Sequence, residues 1–185
     1  GDARVYGDAR VYGDASVGGD AWVGGDARVY GDARVYGNAR VYGNARVYGN
    51  ASVGDNASVG GTASVGGDAL VGDNASVGGD ALVGDHASVG GTASVYGNAS
   101  VGGDALVGDN KDWLLIGPIG SRGSFLTVTF RPHLQLTTGC FTGDIAAFEK
   151  SLQTTHGDNE WASEYRLALT FINGLLARQT QQAQP

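Results

Sequence analysis

From residue 1 to residue 108, apolar and polar positions recur every six residues without a break. Gly1-Asp2-Ala3-Arg4-Val5-Tyr6 opens the run and Gly103-Asp104-Ala105-Leu106-Val107-Gly108 closes it. In all eighteen units the third residue is Ala and the fifth is Val. Ala and Val therefore point one way, and the fourth and sixth residues point the other, which is strand periodicity. The first two residues of each unit are Gly-Asp, Gly-Asn, Asp-Asn or Gly-Thr in most units. These are turn residues, because Gly and Asn tolerate positive φ. Each unit is thus a very short strand and a corner. A helix is excluded, since six is not near a multiple of 3.6 and each interior Gly would cost about 1 kcal/mol. Strands this short bury little as hairpins. Stacking the units as a solenoid lets each strand pair with one a coil away.

At Lys111 the pattern changes. Trp113-Leu114-Leu115-Ile116 reads as a strand, and Gly117 to Gly123 as a loop. Phe125, Leu126, Val128 and Phe130 mark a strand over 124–131, and a returning strand covers 134–138. Ile145, Phe148 and Leu152 predict a helix over about 143–155 that stops at Gly157. Asp158 is placed to cap a second helix with Trp161, Tyr165, Ala168, Ile172 and Leu176 on one stripe. The chain divides into a repeat unit over 1–110, a small α+β module over 111–178 and a flexible tail over 179–185.

Composition narrows the function classes. The net charge is −7, a poor match to nucleic acid, which needs a basic surface. One Cys excludes an internal disulfide. No apolar run approaches a membrane span, and no signal peptide is visible. The expected setting is the cytoplasm, or a phage or mobile-element product. The sequence has no Met and starts on a repeat boundary, which reads as a trimmed fragment.

Val-Gly-Gly-Asp-Ala-Ser and Val-Tyr-Gly-Asp-Ala-Arg resemble the hexapeptide-repeat pattern over residues 1 to about 108. The resemblance implies a mainly β fold: a triangular left-handed parallel β-helix, three hexapeptides per coil and six coils, with a small α+β C-terminal cap. At the usual strand spacing the prism would stand about 29 Å tall. It also implies a homo-oligomer, with a trimer as the first expectation. Ile116-Gly117-Pro118-Ile119-Gly120-Ser121-Arg122, Gly139-Cys140-Phe141 and His156-Gly157-Asp158-Asn159 are similar to C-terminal modules of uncharacterised bacterial and bacteriophage hexapeptide-repeat proteins, which brings no known activity.

An eighteen-residue coil turns the sequence into surface columns. Arg10, Arg28 and Arg46 stack beside Tyr12, Tyr30 and Tyr48. A second face carries Arg4, Trp22 and Arg40 with Tyr6 and Tyr42, and a third carries Arg34 and Tyr36. This ladder is either a solvated face or, since Arg and aromatic residues are interface chemistry, a contact surface. One corner column runs Asp14, Asp32, Asn50, Asp68, His86, Asp104. The resemblance implies that His86 would be the general base if the chain were a coenzyme A-dependent acyltransferase, although the loop insertion of those enzymes is missing. No metal site and no resident cofactor are expected. In the C-terminal module the glycine-rich loop with Ser121 and Arg122 is a candidate anion cradle. Cys140 and His156 are a candidate thiol–imidazole pair. The readings are a non-catalytic structural or interaction solenoid that self-associates, an acyltransferase, or a binding protein for a small anionic ligand. Leu82 and Leu106 are the expected docking points of the module on the last coils.

Overall fold

The structure is a computed structural model that describes residues 1–182, and side chains through residue 178. Eighteen two-residue strands recur every six residues, from β1 (Arg4–Val5) and β2 (Arg10–Val11) to β18 (Leu106–Val107). They assemble into three six-stranded parallel sheets, ordered β1-β4-β7-β10-β13-β16, β2-β5-β8-β11-β14-β17 and β3-β6-β9-β12-β15-β18. Arg4 pairs with Trp22, Arg10 with Arg28 and Ser16 with Arg34, so one coil is eighteen residues. Residues 1–108 are a six-coil β-solenoid.

The physical cause is the fixed Ala/Val register. From Ala21 to Val107 every Ala and Val of the repeat is at most 2% exposed and belongs to one core. Burying each Val contributes roughly 1.5–3 kcal/mol before entropy is subtracted. Backbone groups are satisfied between coils: Arg10 N–H donates to Ala27 C=O at 2.9 Å, and Tyr12 N–H to Val29 C=O at 3.1 Å. The corners need positive φ at their first residue, as at Gly13 (φ +72°), where an added Cβ would also sit 3.2 Å from Gly31 N. In three corners the residue with positive φ is an Asp: Asp55, Asp73 and Asp85, at +54°, +53° and +52°. Their carboxylates turn the strain to use. Each accepts the backbone N–H of the corner one coil on, Asp73 at 3.2 Å, Gly91 at 2.7 Å and Gly103 at 2.8 Å.

The C-terminal module is a four-stranded antiparallel sheet with two helices. Its strands are β19 (Trp113–Ile119), β20 (Ser124–Thr129), β21 (Gln135–Thr138) and β22 (Phe141–Gly143), in that order. The short β22 is an addition to the sequence-based expectation. Helix α1 spans Ile145–His156, capped by Asp144, whose carboxylate accepts Ala147 N–H at 2.8 Å. Gly157 ends it at φ +57°, as expected. Helix α2 spans Glu160–Gln182. Its cap is Asn159, which accepts Ala162 N–H at 3.0 Å. Asp158, expected in that role, instead pairs with Arg166 at 2.9 Å. Helical backbone continues past residue 179, where a tail was expected; residues 183–185 lie outside the described residues.

The sheet alternates with unusual consequence. Leu114, Ile116, Leu126, Val128 and Leu136 pack in the core shared with the helices. Trp113 and Leu115 pack on the solenoid core instead. Thr127 and Gln135, at the same parity, reach the last coil with polar groups. Thr127 Oγ1 accepts Ser100 N–H at 2.8 Å, and Gln135 Nε2 donates to Gly102 C=O at 2.9 Å. Asn110 Oδ1 accepts Ser94 N–H at 2.7 Å, and Arg131 C=O accepts Leu106 N–H at 2.8 Å. Each of the three sheets therefore has its last strand, β16, β17 or β18, supplied with an acceptor from beyond the repeat. That is what a solenoid end requires, since its edge would otherwise leave donors open. The expected anchors do not dock: Leu82 and Leu106 stay 51% and 42% exposed, because their fourth-position side chains point outward from the sheets. Among the described residues no helix is long and apolar enough to cross a membrane.

Candidate functional site

The most ordered outer feature is the ladder on the sheet that begins with β2. Arg10, Arg28 and Arg46 are in direct register. Beside them the Tyr12 and Tyr30 rings stack at 5.1 Å and 3°, and Tyr30 and Tyr48 at 5.5 Å and 12°. The stack ends on Gly66, where an added Cβ would lie 2.3 Å from Tyr48 Cζ. A glycine in the sixth position thus makes room for the ring one coil before it. Tyr36 over Gly54 and Tyr42 over Gly60 repeat the arrangement. Tyr96, which the column reading passed over, lies against Gly78 in the opposite direction. On the sheet that begins with β1, Tyr6 meets Trp22 edge-on at 5.1 Å, and Arg40 sits 6.0 Å from the Trp22 ring. Tyr6, Trp22, Arg40 and Tyr42 border a groove of about 340 Å³.

Charge is distributed unevenly along the axis. Residues 1–54 hold six Asp and six Arg; residues 55–108 hold six Asp and no Lys or Arg. Among the described residues, none of the six repeat arginines forms an ion pair. Like charges one strand apart repel by about 1 kcal/mol even in water. Among the described residues no ion pair offsets that repulsion along the ladder.

The corner column brings His86 to Asp68, with Nδ1 3.5 Å from Oδ2, and Asn50 donates to the other carboxylate oxygen at 2.8 Å. Asp104, the other expected neighbour, makes no ion pair with His86 among the described residues. The His86 side chain is 68% exposed. No described group of three or more His, Cys, Asp or Glu is placed to hold a metal.

In the C-terminal module β19 runs through Ile119, so the loop expected over 117–123 is only residues 120–123, and it is held by Glu164, whose carboxylate accepts Gly120 N–H at 2.6 Å. One of the loop's backbone donors is therefore already occupied. Ser121 and Arg122 are exposed at its tip. Cys140 and His156 share no hydrogen bond; the His156 ring instead faces Tyr165 at 6.3 Å and 28°. Arg122, Cys140 and His156, read from sequence as parts of two separate candidates, line a single pocket.

Comparison with known families adds one match. Segments 3–25, 21–37, 27–42, 33–46 and 39–55 match the YdcK beta solenoid repeat. No curated protein matches the chain. The matched residues are the first three coils, which carry the Arg/Tyr ladder, and together with the three parallel sheets they make the chain a repeat β-helix similar, over residues 3–55, to the YdcK beta solenoid repeat.

Proposed function

We propose that the chain is a non-catalytic interaction solenoid that self-associates through its Arg/Tyr-decorated first three coils. The observation that carries this is the ladder of Arg10, Arg28 and Arg46 beside three stacked tyrosines, with no ion pair to any of the three among the described residues. Tyr and Arg supply large contact area and directional donors, the residue types that dominate interfaces. A second copy offers the matching charge: its last three coils carry six Asp against no Lys or Arg. Antiparallel pairing sets Arg rungs against those acidic corners, whereas parallel pairing sets Arg against Arg.

The test is mass in solution, by light scattering at low salt and at about 1 M salt, where the screening length falls to about 3 Å. The expected result is an even-numbered assembly that dissociates in high salt and in the double variant Arg28→Glu, Tyr30→Ala. A monomer at low salt overturns self-association. A trimer, the assembly the hexapeptide resemblance implies, sensitive to the same variants, would keep the contact surface and overturn the antiparallel pairing.

A further inference from the structure

The pocket in the C-terminal module combines features that the solenoid lacks. Its volume is about 180 Å³, and Arg122, Thr138, Cys140, Phe148, His156 and Tyr165 are on its wall. Four elements converge there: the loop after β19, the β21–β22 turn, α1 and α2. Four of its ten lining residues, Phe141, Phe148, Leu152 and Tyr165, are apolar or aromatic. Phe141 meets Phe148 edge-on at 5.1 Å, and Phe148 meets Tyr165 edge-on at 5.5 Å. Phe148, Leu152 and Tyr165 are all buried.

Several polar side chains on this wall have no hydrogen-bond partner among the described residues, Arg122 and Thr138 among them. Arg122 forms no hydrogen bond or ion pair among the described residues, and its guanidinium lies against the backbone of Gly139. Thr138 stands on β21 two residues after Leu136, hence on the helix-facing side of the sheet, and its Oγ1 is buried without a partner. A buried hydroxyl left unpaired costs free energy that a ligand acceptor would recover. The other arginine nearby is committed: Arg166 bonds Gln153, Gly157 C=O and Asp158.

The geometry points to a binding site for a small organic monocarboxylate with a flat apolar body. Arg122 and Thr138 hold the carboxylate, and Phe141, Phe148, Leu152 and Tyr165 hold the body. One unpaired guanidinium matches one negative charge. The aromatic walls match an apolar ring and disfavour a strongly hydrated dianion, which would have to shed water against them. The volume admits a fragment-sized acid and is below that of a drug-sized ligand. This site is independent of the self-association surface, which lies on the first three coils.

Cys140, the sole cysteine of the chain, lies on the same wall and reports occupancy. The experiment follows alkylation of Cys140 by N-ethylmaleimide in the full chain, by mass spectrometry, with benzoate as the probe. Benzoate is expected to slow alkylation in a saturable way, while benzylamine and inorganic phosphate do not. Arg122→Gln is expected to raise the benzoate midpoint at least about tenfold, as loss of a charged hydrogen bond predicts. Thr138→Val, which keeps the side-chain shape, raises it by a smaller factor. Both variants are checked for thermal unfolding no lower than that of the parent chain, and Arg122 is exposed and unpaired, so its replacement leaves the fold intact. An alkylation rate indifferent to benzoate overturns the site. Equal protection of Arg122→Gln overturns the role of Arg122. Protection by phosphate equal to that by benzoate overturns the apolar subsite.

Discussion

Thr127 and Thr129 are two residues apart on one strand, on one face, and each is 2% exposed. The same substitution at each, Thr→Val, should have opposite signs. Thr127 Oγ1 accepts Ser100 N–H at 2.8 Å across the junction between the module and the last coil. Thr127→Val keeps the shape and removes the acceptor, leaving a partly buried amide facing a methyl group. The expected cost is about 1–2 kcal/mol. Thr129 Oγ1 is buried with no partner. Thr129→Val removes a desolvated hydroxyl that nothing compensates, so it should be neutral or stabilise by up to about 1 kcal/mol. Because coils of a solenoid loosen from their ends, the direct readout is hydrogen exchange at Ser100, alongside urea unfolding. Thr127→Val should speed Ser100 exchange roughly 5- to 30-fold. Thr129→Val should leave it unchanged or slow it. Equal effects of the two variants, or an indifferent Ser100 amide, would refute the view that the module acts by supplying acceptors to the last coil.

Other expectations follow from single residues. Asp73→Ala keeps the positive φ and loses the 2.7 Å bond from Gly91, and should lower stability by about 1 kcal/mol; Asp73→Gly loses the same bond but relieves the backbone, and should change it by less than about 0.5 kcal/mol. Thermal unfolding of the pair tests this, and equal losses would mean the backbone at residue 73 carries no strain. Glu164→Ala frees the loop 120–123 by removing its bond to Gly120 and should cost about 1–2 kcal/mol in urea unfolding, with Glu164→Gln recovering most of it. His86→Ala should shift stability by less than about 0.5 kcal/mol, because the His86–Asp68 pair is solvent-exposed. Calorimetry with acetyl-coenzyme A should show no binding by the parent chain; saturable binding lost in His86→Ala would instead establish the acyltransferase reading.

Much of the solenoid is legible in one unit. Ala and Val at fixed positions define which side is inward, and eighteen repetitions leave no other consistent packing. The corners are legible as turns, but which of the two corner residues takes positive φ is not: in Asp55-Asn56 and Asp73-Asn74 it is Asp, because every corner takes positive φ at its first residue, and the Asp carboxylate then reaches the amide one coil on. The module was harder. Leu82 and Leu106 read as anchors by hydrophobicity alone, yet their parity within the unit already placed them outside. The cap uses Thr127, Asn110 and Arg131 C=O instead, polar groups whose value depends on what they face.

The sequence by itself determined the coil, its core and the columns of Arg and Tyr, because in a periodic solenoid each residue meets the same kind of neighbour one coil before and one coil after. A local pattern is then also a tertiary pattern. Only the tertiary structure decided how the aperiodic module closes the last coil, and that Arg122, Cys140 and His156 share one pocket while Cys140 and His156 remain unbonded. Those juxtapositions come from chain segments with no common period, folded together by the core of Leu126, Leu136, Phe148 and Tyr165, and no spacing along the chain encodes them.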